Sequence, residues 1–361
     1  MENTIIQKEE LKETIWSKLW GEYDYVSKTL KDGLAKVVRN GKHGFVDNNG
    51  KETIPCKYDN ACSFSEGLAE ICEYDRWGII DKRGKEIVYC KYSYIQSFSE
   101  GLALVKQSNR YGFIDKNGHE VIPISDKYSL VDSFYNGRAL VMAKGGKCGF
   151  IDKSGREVIP CRYDDARNFS EGLAAIEQNN KYGFIDENGR EIIACKYDRA
   201  NNFSEGLAVV EQNRIYDFPG KYGFIDKYGN EAIPCKYKKA YNFSEGLAAV
   251  AQKIDKWGYI DKNGNEVILC KYEEASSFFE GVAIVKSNSK YGYIDKKGNE
   301  IISCQYDEAY EFWDGVAKVA LYRKRNDSFL KDYYYIDKFG KKLKFLYTKE
   351  GCLGEDFLIW E

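Results

Sequence analysis

One short motif recurs along the 361-residue chain. Gly-Leu-Ala, or a close variant, returns at intervals of 34 to 40 residues, and an aromatic-Gly pair follows most copies at a nearly fixed distance. A regular period of this length is the sequence signature of a repeat protein, in which each copy is one small structural unit. The nine copies begin at Gly33, Gly67, Gly101, Gly137, Gly172, Gly206, Gly246, Gly281 and Gly315.

The copy at 172–205 indicates what one unit can form. Alternating side chains predict three short strands, over 173–176, 182–186 and 190–194. Asn188-Gly189 predicts a hairpin turn between the last two strands, because Asn-Gly supplies the positive φ angles that a tight turn needs. The stretch 195–200 is predicted to be an irregular or single-turn helical connector to the next unit.

Three short strands fit within about 35 residues, whereas a long helix does not. The sequence therefore predicts an all-β fold: about nine three-stranded antiparallel units of ~35 residues that form an open curved solenoid. A closed propeller-like ring is the alternative. Because propeller blades usually have four strands and about 40–45 residues, the short period favours the open array.

The two ends of the chain differ from the repeat. Apolar residues at every fourth position from Leu11 to Leu19 predict an amphipathic helix, so residues 1–22 are predicted to be an N-terminal capping helix. Residues 23–340 are predicted to form the repeat array, and 341–361 the C-terminal cap. Both caps are expected because the terminal repeats of a stack need a cover.

The units share the pattern Gly-Leu-Ala, [WY]-G-[FY]-I-D, x-x-G-x-E-[IV]-I and Tyr-[DE], with Trp77 and Trp257 giving the Trp form of the aromatic-Gly pair. This pattern resembles the bacterial WG (KWG) β-repeat over about 23–340. Tyr replaces Trp in most copies, and His43 and Cys148 depart further. The resemblance implies a bacterial repeat scaffold, without a common reaction or ligand.

The charge balance limits the classes of partner. The chain has 54 Lys and Arg against 56 Asp and Glu, a formal net charge of −2. It therefore lacks the strongly basic character of a general nucleic-acid coat. Its apolar runs are too short to span a bilayer, so no membrane partner is expected. The N-terminus lacks a signal-peptide pattern, which predicts a cytoplasmic location.

Cysteines form a row at one position of the repeat. A metal site would need paired cysteine spacing or accompanying histidines, and the chain has only two histidines. The row is therefore interpreted as small buried apolar side chains, and no metal or cofactor is expected. The row consists of Cys56, Cys90, Cys161, Cys195, Cys235, Cys270 and Cys304.

Carboxylates also recur, one row before the hairpin turn and one before the Gly of Gly-Leu-Ala. Residues that repeat in equivalent surroundings are more typical of turn structure than of acid–base catalysis, which needs one pair in distinct environments. The serines of Phe-Ser-Glu-Gly have no row of histidines to activate them. The chain is therefore predicted not to be an enzyme. The first row is Asp47, Asp81, Asp115, Asp152, Asp186, Asp226, Asp261, Asp295 and Asp337.

A third row pairs Lys or Arg with Tyr, as at Lys196-Tyr197. Basic and aromatic side chains at a fixed step could follow a nucleic-acid strand by charge and stacking, or bind a glycan. Acidic residues repeat equally often, so nucleic acid is possible but not favoured. The other interpretation is that the tyrosines pack at a corner of the unit while the Lys and Arg heads reach solvent.

The leading hypothesis is a non-catalytic protein-interaction scaffold whose partner is another protein of unknown identity. Repeat arrays bind through an extended surface, and departures from the consensus indicate where, because the fold does not require them. Two insertions, at 213–220 and 321–332, are such departures. The candidate partner-binding residues are Arg214, Tyr216, Asp217, Phe218, Tyr322, Arg323, Lys324 and Arg325.

Overall fold

The computed structural model of the protein describes residues 19, 22–27, 30–215, 218–253, 256–313, 315–325 and 328–343. Within these residues the strands form nine separate antiparallel sheets, eight with four strands and one with three, and no sheet is closed. The prediction of an all-β array of repeated antiparallel units is confirmed, but the predicted three strands per unit are wrong for eight sheets, because an additional strand, two residues long in most of them, pairs with the first predicted strand of each. No helix in these ranges is long and apolar enough to cross a membrane.

The chain divides into two compact units, the first ending at Arg162 and the second beginning at Tyr163. The first contains sheets 1 to 4, with strands Tyr25–Val26, Leu34–Arg39, Lys42–Asp47 and Glu52–Tyr58; Asn60–Ala61, Leu68–Glu73, Arg76–Asp81 and Glu86–Tyr92; Tyr94–Ile95, Leu102–Gln107, Arg110–Asp115 and Glu120–Ser125; and Tyr128–Tyr135, Arg138–Ala143, Cys148–Ile151 and Glu157–Tyr163.

The second unit contains sheets 5 to 9. Their strands are Asp165–Ala166, Leu173–Gln178, Lys181–Asp186 and Glu191–Tyr197; Arg199–Ala200, Ala208–Gln212, Lys221–Ile225 and Glu231–Tyr237; Lys239–Ala240, Ala248–Lys253, Lys256–Ile260 and Glu266–Tyr272; Glu274–Ala275, Val282–Ser287, Lys290–Asp295 and Glu300–Tyr306; and Glu308–Ala309, Val316–Arg325 and Ser328–Asp337.

Sheet 5 corrects two local predictions. The stretch 195–200 is not an irregular connector: the third long strand continues to Tyr197, and Arg199–Ala200 pairs with the first long strand of sheet 6. Strand alternation persists to Tyr197, because Ile193 and Tyr197 bury their side chains while Ala194 and Lys196 are exposed. The hairpin turn has a positive φ at Gly189 (77°) but not at Asn188, so it is a longer turn than the tight one predicted.

The glycine of the aromatic-Gly pair lies beneath an irregularity in the neighbouring strand. In sheet 5 the pairing register shifts between Tyr182 and Phe184, on either side of Gly183. A Cβ atom on Gly183 would lie 2.5 Å from the carbonyl oxygen of Ile193 and 2.7 Å from the amide nitrogen of Cys195. The repeat therefore needs glycine at this position, because the backbone of the next strand occupies the space that a side chain would fill.

Within each of the two compact units, the core lies between successive sheets. Between sheets 5 and 6, Ala175 and Phe184 pack with Ala208 and Val210, all of them buried. Phe203, from the segment leading into sheet 6, meets Phe184 edge-on with ring centroids 4.8 Å apart. Alanines permit close approach of the sheets, and the aromatic pair fills the remaining space.

A second contact between sheets is polar. Glu205 and Gly206 have positive φ angles of 54° and 89° and form the two-residue turn between Ser204 and Leu207. One carboxylate oxygen of Glu205 accepts a hydrogen bond from the N–H of Gly246 at 3.0 Å in the next sheet. Lys262 of that sheet forms an ion pair with the same carboxylate at 3.2 Å. The same geometry recurs at Glu100, Glu171 and Glu245.

The described residues near the N-terminus cover one face of sheet 1. Leu19 and Tyr23 are buried against a cluster that includes Ala35, and the N–H of Tyr23 donates to the carbonyl of Leu19 at 3.0 Å. Most of the predicted capping helix and of the predicted C-terminal cap falls at 1–18 and 344–361, outside the described residues, so both caps remain predictions.

Sheet 9 departs from the aromatic-Gly rule. Tyr334 occupies the register position that Gly292 has in sheet 8, opposite the second valine of the preceding strand. Among the described residues, sheet 9 has no fourth strand to lie over this position. The tyrosine ring instead packs edge-on against Tyr306, with centroids 6.0 Å apart.

Candidate partner-binding surface

The repeated aspartates support their own turns. The Oδ1 atom of Asp186 accepts hydrogen bonds from the N–H groups of Asn188 and Arg190, both at 2.9 Å. All nine aspartates of the row make the equivalent pair of bonds. The structural interpretation of this row is confirmed, because both backbone donors of each turn are satisfied by the carboxylate.

The serines of Phe-Ser-Glu-Gly also join neighbouring sheets. The hydroxyls of Ser170, Ser204 and Ser244 donate to the carbonyl oxygens of the corresponding phenylalanine one sheet further on, at 2.7 to 2.8 Å. These hydroxyl hydrogens are therefore engaged in structural bonds and are not directed at a general base.

The cysteine row consists of half-buried thiols. The thiols of Cys90, Cys235 and Cys270 donate to backbone carbonyls at 3.8 to 3.9 Å, and burial raises the pKa of each to about 11. Neutral thiols are poor metal ligands. In the described ranges, no group of three or more His, Cys, Asp and Glu side chains could hold a metal ion.

The Lys-Tyr row does not offer stacking platforms. Tyr58, Tyr197 and Tyr237 are at most 3% exposed, and the ammonium groups of Lys196 and Lys236 lie 5.3 and 5.2 Å from the ring centroids of their own neighbours. A nucleic-acid base or a sugar needs an accessible aromatic face. These rings therefore serve the core, as in the second interpretation of the row.

The insertion in sheet 6 extends its hairpin. Ile215 and Phe218 exchange two backbone hydrogen bonds and are 63% and 77% exposed. The N–H of Arg214 donates to an Oδ atom of Asp198 at 2.8 Å, which anchors the base of the extension. Tyr216 and Asp217 lie outside the described residues. Two of the four candidates here, Arg214 and Phe218, are exposed on this hairpin.

The insertion in sheet 9 lengthens both strands of the last hairpin to ten residues. At its base Glu308 accepts hydrogen bonds from Lys331 at 2.8 Å and from the hydroxyl of Tyr333 at 2.9 Å, and it also pairs with the hydroxyl of Tyr322. The hydrogen bonds from Lys331 and Tyr322 lower the pKa of Glu308 to about 2. Tyr322, a candidate residue, is therefore held in a polar cluster at the surface.

The other candidates of this hairpin are placed differently. The guanidinium of Arg323 forms an ion pair with Asp332 at 2.7 Å. Lys324 and Arg325 pair through their backbones with Phe329 and Ser328 at the hairpin tip, and their side chains lie outside the described residues. The two insertions lie on different sheets, 6 and 9.

Two aromatic residues missed by the sequence analysis form a surface pair. Phe279 and Trp313 are 36% and 72% exposed, and their rings stack with centroids 5.5 Å apart and an interplanar angle of 21°. Each occupies the Ser position of Phe-Ser-Glu-Gly, and the backbone bonds of the turn persist at both. Loss of serine in two consecutive copies was the signal that could have identified them.

One buried carboxyl group has no counterpart in the other repeats. Glu70 is 5% exposed at a position that Ala175 and Ala249 fill with methyl groups. Burial raises the pKa of Glu70, against the smaller opposing effect of hydrogen bonds with Ser97 and Cys62. A charge at this position therefore costs stability in the folded state.

Replacing Glu70 with glutamine is expected to raise Tm at pH 7 but not at pH 4. Below about pH 4.3 the carboxyl is protonated in both the folded and the unfolded chain. As pH rises, the unfolded chain ionises first because the folded pKa is raised, so the wild type loses stability that Glu70→Gln retains. Thermal melts across this range test it. An equal shift at both pH values would contradict the assignment to charge.

A known family of repeat proteins matches the chain segment by segment. A family model described as the WG-containing repeat matches eight segments: 44–76, 77–111, 111–148, 149–182, 182–214, 222–253, 257–291 and 291–324. No curated protein matches the chain.

Solved structures also match the chain. A crystal structure of a eukaryotic initiation factor is 10% identical, with 77% of this chain and 86% of that chain covered and a TM-score of 0.48. BamB from Moraxella catarrhalis is 11% identical, with 76% and 88% covered and a TM-score of 0.35.

Proposed function

Because the chain belongs to the family of WG-containing repeat proteins, we propose that it is a non-catalytic scaffold that binds another protein. The repeated carboxylates, serine hydroxyls and thiols, where a copy has them, make contacts that hold the array together. Repeat proteins of this kind bind through residues that vary on a constant framework. The binding residues are therefore the exposed side chains that the framework does not need.

The stacked pair of Phe279 and Trp313 carries this proposal. The same position holds serine in five other copies, so the fold itself has no need for aromatic side chains here. Exposed aromatic residues in contact with each other are typical of protein interfaces, and tryptophan is prominent among the residues that contribute most to binding. The exposed Phe218 and Tyr322 of the two insertions are candidates for separate, additional contacts with the partner.

A protein partner is favoured over a polymer such as nucleic acid. The repeated tyrosines are buried, which removes the stacking row that a nucleic-acid strand would follow. At the aromatic pair, the nearby Lys338 is already engaged with Glu280 at 3.2 Å, so it does not supply a free positive charge. An apolar contact within a polar rim is the usual form of a protein interface.

The test is affinity purification of the tagged full chain from its native lysate, with the double variant Phe279→Ser/Trp313→Ser beside the wild type. Serine is the residue that this turn normally contains, so the variant should fold and melt like the wild type. We expect a stoichiometric protein partner with the wild type and at least a tenfold loss of it with the variant. Nuclease treatment of half of each sample should change neither result.

Tyr228→Ser is the matched control, because Tyr228 is 84% exposed on a hairpin turn of the same unit and is not part of the aromatic pair. It should retain the partner. Retention of the partner by the double variant, or recovery of nucleic acid with protein partners lost on nuclease treatment, would contradict the proposal. Recovery of no stoichiometric protein at all would do so as well.

A further inference from the structure

A polar cleft lies between sheets 5 and 6, both in the second unit. Its volume is about 500 Å³ and it is open to solvent. Three arginines come together here from three separate segments of the chain. The lining residues are Arg167, Glu177, Asn180, Tyr182, Asp198, Arg199 and Arg214, named the arginine cleft below.

Two of the acidic groups next to the arginine cleft, Asp198 and Glu211, are already engaged. Asp198 receives hydrogen bonds from Lys181 at one oxygen and from the N–H of Arg214 at the other. Burial alone would raise the pKa of Asp198, but these bonds lower it, so the group is ionised. The buried Glu211 accepts from the N–H of Gly220 at 2.7 Å and from a tyrosine hydroxyl at 3.0 Å.

The arginines retain unused donors. Arg167 gives one N–H to the amide oxygen of Asn201 at 3.2 Å, and Arg199 directs its Nε atom toward Glu211 at 3.6 Å. The guanidinium of Arg214 makes no ion pair within 4 Å in the described part of the chain. A guanidinium has five N–H donors in a planar fork that matches an oxyanion. Within the described part of the chain, most of the donors of Arg167 and Arg214 therefore remain available.

The arginines are specific to this place in the array. The position of Arg167 holds Asn201 in sheet 6 and Tyr241 in sheet 7, and Arg214 belongs to the inserted hairpin. The repeat framework therefore does not account for three guanidiniums at one cleft. Arginine is also preferred over lysine where planar, bidentate recognition of a carboxylate is needed.

We propose that the arginine cleft binds the carboxylates of an acidic peptide segment of a partner protein. The inference rests on the proposed function, since it gives the chemistry of one part of that partner. An open cleft leaves much of a small molecule in water, whereas sites for small ligands usually enclose them. An extended segment can instead lie across the cleft and place successive carboxylates on Arg167 and Arg214.

Carboxylate groups fit the cleft better than phosphate groups. Glu177 lines the same space as the three arginines, and its charge would oppose a phosphate dianion more strongly than a carboxylate monoanion. A carboxylate also presents two oxygens in the plane of the guanidinium fork.

The test is fluorescence anisotropy with the purified full chain and a labelled hexaglutamate peptide. The cleft variant is Arg167→Gln/Arg214→Gln, which spares Arg199 because that side chain faces the buried Glu211. We expect the variant to weaken hexaglutamate binding at least tenfold, and the wild type to bind a hexaglutamine peptide no better than background.

The matched control is Arg83→Gln/Arg190→Gln, which removes the same charge from two exposed hairpin turns and should bind within twofold of the wild type. Equal weakening by the control, unchanged binding by the cleft variant, or no wild-type binding would overturn the proposal. Tenfold tighter binding of a phosphoserine peptide of the same length would also overturn it. The Phe279→Ser/Trp313→Ser chain, assayed in parallel, should bind hexaglutamate normally, so failure of the cleft is separable from failure of the scaffold function.

Discussion

Replacing Gly149 with alanine is expected to lower the free energy of unfolding by about 2–3 kcal/mol, the cost of forcing extra volume into a packed interior. The new Cβ atom would lie 2.5 Å from the carbonyl oxygen of Ile159 and 2.7 Å from the amide nitrogen of Cys161. Both are backbone atoms, which cannot move aside by a change of rotamer. The strand carrying them must therefore shift, and its pairing in sheet 4 is weakened.

Denaturant unfolding of the purified chain measures this loss, and amide hydrogen exchange over 138–163 locates it. Gly145→Ala is the control, because Gly145 lies in the same hairpin, has no positive φ and faces open space. That variant should unfold within about 0.5 kcal/mol of the wild type. If both variants have the same free energy of unfolding as the wild type, the steric role assigned to the aromatic-Gly glycine is wrong.

Replacing Phe203 with alanine is expected to cost about 3–5 kcal/mol, the range for truncating a buried phenylalanine. The ring is 1% exposed and packs edge-on against Phe184 of the adjoining sheet. Its removal leaves a cavity at the contact between sheets 5 and 6, which neither sheet can fill without moving its strands. Since each repeat contacts only its neighbours, the first loss of hydrogen-exchange protection should occur in these two sheets.

Phe218→Ala provides the comparison for the same chemical change at a surface position. Phe218 is 77% exposed, so its truncation should alter stability by less than about 0.5 kcal/mol. Denaturant unfolding of both variants separates core from surface phenylalanines. A similar loss from the two truncations would show that Phe203 contributes no more to packing than an exposed ring.

The repeat made much of the architecture predictable. The strands of one unit and the role of the aspartates follow from alternation and from turn chemistry, both of which depend on residues close in sequence. The short strand Arg199–Ala200 was missed because its pairing partner belongs to the next unit. The need for glycine at Gly183 also depends on a distant backbone, that of Ile193 to Cys195.

The candidate site was harder to predict than the fold. Phe278 and Phe279 are adjacent and chemically identical, yet the first is 1% and the second 36% exposed. Neighbouring residues alone do not distinguish them; their places in the aligned repeat do, since Phe278 stands at the Phe position and Phe279 at the Ser position of Phe-Ser-Glu-Gly. The insertions were visible as extra length, but their form as extended hairpins depends on pairing such as that of Ile215 with Phe218. Residues brought together from several segments, such as Arg167 and Arg214, give no local pattern.

The turn at Glu205 has a bearing on how such a chain can evolve. Each repeat supplies the carboxylate for its contact with the next repeat. It also supplies the N–H and the lysine for its contact with the preceding repeat, as Gly246 and Lys262 do for Glu205. A duplicated segment of one repeat length therefore carries the residues for both of its junctions. It can pack against its neighbours without new interface residues. Copy number can change by recombination within the gene, while single copies remain free to acquire residues such as Trp313 for recognition.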